Sequence, residues 1–139
     1  MSFKTIIPWK EQFLVRLSDI SRTVLERRYL KKVGGKIVET PEEMLHRVAE
    51  NIAKVETEIY ARSASEAKIW EEKFFNLMNE RKFLPNSPTL MNAGRDLQQL
   101  AACFVLPIED SMESIFETLK TAALIHKSGG GTGFSLSKL

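Results

Sequence analysis

The chain of 139 residues has one cysteine, no apolar run near the roughly 20 residues that a bilayer-spanning helix needs, and no block of like charge. Each shortage excludes something. With Cys103 alone, no disulfide forms within the chain, so its thiol is a small buried hydrophobe, a reactive group, or half of a pair completed elsewhere. Lys and Arg number 20 against 18 Asp and Glu, a net charge of +2 with the signs intermixed. No field of one sign therefore argues for nucleic acid or a membrane surface as a partner. The opening MSFKTIIPWKEQF lacks the long apolar stretch and small-residue cleavage site of a secretory leader, which points to a cytoplasmic protein. Repeats and low-complexity tracts are missing as well. His46 and His126 lie far apart with no carboxylate or cysteine at ligand spacing, so no metal site is expected.

What is present is ordinary globular composition, 43% hydrophobic and 27% charged, enough for about one domain. Punctuation at Gly34-Gly35, Pro85 to Pro88, Pro107 and Ser128 to Gly133 divides the chain into four helical blocks and two short strands. Leu17, Ile20, Val24 and Leu25 follow helical spacing, with Ser18 as N-cap and Gly34-Gly35 as the stop. Thr40, Pro41 and Glu43 form a capping box, and Met44, Leu45, Val48, Ile52, Val55 and Ile59 lay one apolar stripe behind it. A second box, Ser63 with Glu66, opens a helix whose Ala67, Trp70, Phe74, Leu77 and Met78 make the complementary stripe. The connection Ser63 to Ser65 is short enough for an antiparallel pair. Trp70, Phe74 and Phe75 read as core. Residues 1–82 are thus expected to form a helical domain.

From residue 83 the pattern changes. Ala101 to Leu106 is wholly apolar and ends at Pro107, which suits a strand buried on both faces. Asp110 and Glu113 offer a cap and a box for a helix with Met112, Ile115, Phe116, Leu119 and Ala123 on its apolar side. Thr132 to Ser137 then alternates Phe134 and Leu136 with serines as a second strand. Strand, helix and strand with so long a crossover make a βαβ unit of a parallel sheet. Two strands do not complete such a sheet, so residues 83–139 are expected to be the opening of a larger α/β structure that continues past Leu139.

Three segments invite chemical readings, each with a bland rival. Cys103, in mid-strand, is either an inert packing residue or a reactive thiol, and spacing does not decide. Ser128 to Gly133 lacks the Gly-Lys-Ser/Thr ending of a phosphate loop and leads into a strand, so it is a C-cap with a tight turn. Two glycines would serve that turn; four suggest that something approaches the backbone closely. Pro85 to Thr89 is either a rigid loop or an ordered hydroxyl and amide array for phosphate or sugar.

FLPNSPTLMNAG at 83–94, AACFVLPIEDSMESIF at 101–116 and HKSGGGTGF at 126–134 stand in the order found in a known family. Together they resemble the large subunit of ribonucleotide reductase. The phrases with Asn-Ser-Pro and Phe-Val-Leu-Pro are more similar to the adenosylcobalamin-dependent class than to the iron-dependent one. ETPEEMLHRVAENIA at 39–53 is similar to the family's helical N-terminal region. The resemblance spans residues 17 to 139, and the first 16 carry none.

That resemblance implies an N-terminal helical domain followed by the first βαβ unit of a ten-stranded α/β barrel. It also implies thiyl-radical reduction of ribonucleotides to deoxyribonucleotides for DNA synthesis. Cys103 matches the first of two reducing thiols, its disulfide partner lying in later sequence, and an apolar strand would shield it from water. Ser87 matches a substrate-binding position, Ala102 and Cys103 lie beside the ribose, and Gly131 matches a glycine whose backbone approaches the substrate. Asp110, Ser111 and Lys127 match positions that bind a deoxynucleotide or ATP effector, on a helix that packs in a homodimer interface. Adenosylcobalamin is the implied cofactor, with most of its contacts in sequence after residue 139. The radical cysteine, its glutamate, the second redox cysteine and the C-terminal thiol shuttle are expected there too. An extra ATP-binding domain before Leu17 is not expected.

By itself such a chain is expected to be catalytically silent and to work with the remainder of the subunit. Two rivals come from other classes. One is a non-catalytic module that binds a deoxynucleotide or assembles onto a partner; the other is an inert helical interaction domain.

Overall fold

The computed structural model describes residues 17–139, which fall into two compact units dividing between Pro85 and Asn86. Residues 1–16, expected to hold no leader and no family resemblance, lie outside the described residues.

The first unit opens with α1 (Asp19–Val24), capped by Ser18 as expected: the Ser21 amide donates to Ser18 Oγ at 3.2 Å. A π-helical turn, Leu25–Tyr29, continues it, and the backbone becomes extended at Leu30. The expected stop at Gly34-Gly35 is corrected here, because the helix has already ended. Those glycines form the tip of a hairpin between β1 (Lys32–Val33) and β2 (Lys36–Ile37), with φ of 55° and 77°. Positive φ at both central residues is the twist that a two-residue hairpin needs. Glu39, buried just after the hairpin, accepts from Arg47 Nε at 2.6 Å and from the Lys31 amide at 2.8 Å, so its charge is paired where water is scarce.

The capping box opens α2 (Pro41–Ala53) as predicted, with Glu43 N to Thr40 Oγ1 at 3.2 Å and Thr40 N to Glu43 Oε2 at 2.8 Å. Met44, Leu45, Val48, Ala49 and Ala53 are buried. The stripe does not run on to Ile59, which is 71% exposed. The helix breaks at Lys54 before the short α3 (Val55–Glu58), and the break shifts the phase on which the later positions depended. The second box, Ser63 with Glu66, opens α4 (Ala64–Asn79). Its bonds from the Ser63 hydroxyl and amide hold the Glu66 carboxyl below its usual pKa.

The apolar face of α4 is rotated from the expected one: Phe75, Met78 and Asn79 are buried, while Leu77 is exposed. Of the expected core aromatics, Phe75 is 2% exposed, and Trp70 and Phe74 are half-buried beside it with ring centroids 5.7 Å apart. His46 stacks on Phe75 at 3.9 Å, so the start of α2 meets the end of α4 and the pair runs antiparallel.

The second unit begins with α5 (Ser87–Asn92), where a rigid loop was one expectation. Asn86 caps it by accepting from the Thr89 amide at 3.0 Å, and Pro88 falls in the first turn, where a missing N–H costs no helical bond. β3 (Cys103–Val105) and β4 (Gly131–Gly133) pair in parallel, joined by α6 (Met112–Lys127), which is the expected βαβ unit.

Three details of this unit depart from expectation. The cap of α6 is Ser111, not Asp110: Ser111 Oγ accepts from the Ser114 amide at 3.1 Å, and since Ser114 occupies the box position there is no reciprocal glutamate. The buried face of α6 carries Thr118 and Ala122 with Ile115 and Ile125 half-buried, so Met112, Phe116, Leu119 and Ala123 point outward. Thr118 is drawn in because its Oγ1 donates to Pro107 O at 2.9 Å, a bond that hydropathy does not register. β4 starts at Gly131 and ends at Gly133, leaving Phe134 and Leu136 exposed.

β3 is not buried on both faces: Cys103 is exposed and Val105 is 88% exposed. Each strand of the ribbon has one strand neighbour, and among the described residues no further strand covers its outer edge.

Candidate functional site around Cys103

Parallel register places Cys103 opposite Gly131, Phe104 opposite Thr132 and Val105 opposite Gly133. The Gly131 amide donates to Ala102 O at 2.8 Å, and the Leu106 amide to Gly133 O at 2.9 Å. Three predicted site residues, Ala102, Cys103 and Gly131, are therefore adjacent on one ribbon. The thiol is free and exposed, which corrects the expectation that its own strand shields it from water. Shielding needs layers on both sides of a strand, and this ribbon has α6 against it and nothing among the described residues over Cys103.

The glycines between Ser128 and Gly133 divide into two kinds. Gly129, with φ of 87°, and Gly130 close α6 in a Schellman motif, their amides donating to His126 O and Ile125 O at 3.0 Å each. A Cβ on Gly130 would lie 2.7 Å from Ile125 Cγ2 and 2.9 Å from Phe104 Cε2, so packing alone demands glycine. Gly131 and Gly133 differ. Neither has a positive φ, and a Cβ there would meet nothing nearer than Ala102 O at 3.6 Å from Gly131. The fold of this chain does not require their bare backbone, and one of them faces the thiol-bearing residue.

Side-chain struts hold α5 to the segment that leads into β3. Thr89 Oγ1 donates to Leu100 O at 3.0 Å and Asn92 Nδ2 to Gln99 O at 2.9 Å. Ser87, the first residue of α5, is exposed at the end of this tethered helix. Sequence reasoning marked the segments holding Thr89 and Ser128 without giving either a bracing role, and it did not single out Asn92 or Gln99. Long-range side-chain to carbonyl bonds leave no periodicity to find, although two amides and two hydroxyls flanking an apolar strand were a signal.

The expected effector residues are not brought together within one chain. Asp110 is exposed just before the cap, Ser111 Oγ is occupied as that cap, and Lys127 ends α6. Sixteen helical residues span about 24 Å, longer than one nucleotide bridges. Beyond the carboxyl ends of β3 and β4 lies a cleft of about 370 Å³ between residues 105–109 and 135–138, crossed by the ion pair of Lys138 with Glu109. His126 Nε2 meets Thr132 Oγ1 at 2.9 Å, and no cluster of three His, Cys, Asp or Glu side chains able to hold a metal occurs among the described residues. No helix there is long and apolar enough to cross a membrane.

A parallel strand pair with a crossover helix, carrying a free thiol in register with a bare glycine backbone, defines the class: an α/β unit joined in sequence to a helical one. The sequence matches the ribonucleotide reductase all-alpha domain over residues 15–98 and the ribonucleotide reductase barrel domain over residues 101–139. The chain belongs to the ribonucleotide reductase large-subunit family. Sequence assigns α5 to the helical domain, whereas in the structure it packs in the second compact unit.

Among its relatives is a vitamin B12-dependent ribonucleoside-diphosphate reductase of Thermoplasma acidophilum, 42% identical, with 98% of this chain and 24% of the relative covered. That coverage reaches into the first sixteen residues, which the resemblance had left out. A protein of the same description from Mycobacterium tuberculosis is 46% identical over 90% of this chain and 18% of its own length. The ribonucleoside-diphosphate reductase large subunit of Vaccinia virus is 44% identical over 83% of this chain and 14% of its own length. The chain thus spans about a quarter or less of these relatives.

Proposed function

We propose that this chain supplies one of the two reducing thiols and part of the substrate cradle of a ribonucleotide reductase. The observation that carries the reading is the register of Cys103 with Gly131, a thiol beside a glycine backbone that nothing in this chain's fold requires. Removal of a ribose 2′-hydroxyl as water takes two electrons and two protons. Two thiols provide both and become a disulfide. Cys103 is the first thiol, and the second lies in the rest of the catalytic subunit, the chain's partner. Ser87, at the first turn of α5, offers a hydroxyl to the substrate, while Ala102 and Gly131 form the floor beside the ribose. In this reading the exposure of Cys103 ends when the rest of the barrel covers β3, excluding water from the radical chemistry. The setting is cytoplasmic deoxyribonucleotide synthesis.

The names of two relatives carry vitamin B12, and adenosylcobalamin is the radical source that the reading adopts. Its contacts would come mostly from sequence after residue 139, and when bound it would supply the radical that starts the reduction. Asp110, Ser111 and Lys127 act on a deoxynucleotide or ATP effector. Because they lie at opposite ends of α6, they meet only where two copies of the helix pair head to tail about a two-fold axis, as in a homodimer. The exposed Met112, Phe116 and Leu119 suit that pairing.

The test joins this chain to a fragment carrying the remaining barrel and measures ribonucleotide reduction. The chain alone gives none, the joined protein turns over, and Cys103→Ser abolishes turnover with an unchanged melting temperature. Normal turnover by the serine variant would overturn the role of Cys103. The exposed α6 face favours a second reading, a deoxynucleotide-binding or assembly module without chemistry. It predicts that calorimetry with dTTP shows binding that Asp110→Ala removes, while no assembly turns over.

A further inference from the structure

Gln99 joins α5 to the glycine turn through its own atoms. Its carbonyl accepts from Asn92 Nδ2 on α5 at 2.9 Å. Its side-chain amide reaches across 29 positions of sequence, where Ser128 Oγ donates to Gln99 Oε1. The same hydroxyl lies 2.8 Å from Ile125 O, so its single hydrogen is shared between the end of α6 and this amide. A Cβ on Gly130 would come within 3.2 Å of Gln99 Nε2, so the turn is seated directly on the amide. Gln99 Nε2 is enclosed and has no hydrogen-bond partner. A buried amide with an idle donor costs stability, of the order of 1 kcal/mol or more, where an apolar residue of like size would not. Stability therefore does not explain glutamine at this position.

We propose that Gln99 is a positioning residue whose side chain sets the place of the glycine turn, and so of Gly131, relative to Cys103 and to the segment that holds α5. The inference rests on the reductase reading above and adds to it a residue that touches no substrate. The mechanism is geometric. Leu100, whose carbonyl receives Thr89, and Gln99 lie three and four residues before Cys103, and Ser128 lies three before Gly131. The contact between 99 and 128 therefore ties the two strands together one step beyond the equal offset of Leu100 and Ser128, just ahead of the paired residues, and Asn92 ties α5 to the Gln99 carbonyl. Without the brace β3 and β4 still pair through backbone bonds and α5 stays tied by Thr89 and Asn92 to the carbonyls of Leu100 and Gln99, but the glycine turn moves relative to the thiol.

The test uses the joined, active subunit with Gln99→Leu, which keeps bulk and removes the amide, and Ser128→Ala, a milder change that removes the other half of the contact. Each is expected to raise KM for the ribonucleotide about tenfold with kcat retained, since binding groups are displaced while the reacting thiol stays. The double variant is expected to be no worse than Gln99→Leu alone, because both remove one contact. A merely structural brace would lower the folded fraction, reducing apparent kcat with KM unchanged, and that result overturns the proposal. Additive effects on KM overturn it as well. If Gln99→Leu does not fold, Ser128→Ala decides by the same KM criterion. If the unsubstituted joined subunit reduces no ribonucleotide, the reductase reading falls and this role with it, an outcome distinct from an active subunit indifferent to both variants.

Discussion

His46 shows how one side chain can make the first unit sensitive to acid. It stacks on Phe75 and lies 3.8 Å from Glu71, and burial lowers its pKa from 6.5 despite the nearby carboxylate. A lowered folded-state pKa means that below about pH 6.5 the unfolded chain takes up a proton that the folded chain resists. The stability contribution is present above that value and lost as pH falls towards the folded pKa. Melting curves at about pH 7.5 and 5.5 should show a lower Tm at the acid value, with His46→Phe removing part of the difference. An equal fall in the variant would assign the effect to other groups. Phe75 itself, 2% exposed beneath that histidine, should cost about 3–5 kcal/mol on replacement by alanine, measured by denaturant unfolding.

Elements were legible in the sequence where a local rule decides them. Ser18, Thr40 with Glu43, and Ser63 with Glu66 cap the helices they were expected to cap, since a capping bond closes within three residues. Thr40→Ala should accordingly lower stability by about 1 kcal/mol, read as a shift in urea midpoint. The parallel pairing of β3 with β4 was legible for a similar reason, as a long crossover permits little else. What was hidden depended on partners. The inward face of α6 turns on a bond from Thr118 to Pro107, and Ser111, not Asp110, is the cap, while the Ser114 hydroxyl accepts from the Glu109 amide just ahead of it. The exposure of β3 was hidden too, because an apolar hexapeptide records the neighbours a strand is made for, and the described residues provide one. Of the candidate site, the adjacency of Ala102, Cys103 and Gly131 follows from that crossover, while the Gln99 and Ser128 brace left no mark in hydropathy.

At the scale of the whole molecule, the second unit exposes two sets of apolar side chains among the described residues: Val105 on the ribbon with Phe134 and Leu136 just after it, and Met112, Phe116 and Leu119 on α6. The two sets lie on different structures and call for different partners. In the proposed assembly the ribbon meets the rest of the barrel and α6 meets its two-fold copy. Phe116→Glu should therefore weaken self-association of the joined subunit, seen as a shift towards monomer in sedimentation. Unchanged association would exclude this face from the dimer.

The reductase reading requires that Cys103 give up its electron as substrate is reduced. Joined to the rest of its barrel, with the expected C-terminal shuttle cysteines replaced by serine, supplied with adenosylcobalamin, fully reduced and mixed with ribonucleotide without any added thiol, the protein should lose alkylatable Cys103 in amounts equal to the deoxynucleotide formed. Deoxynucleotide appearing while every Cys103 remains open to alkylation would contradict the account.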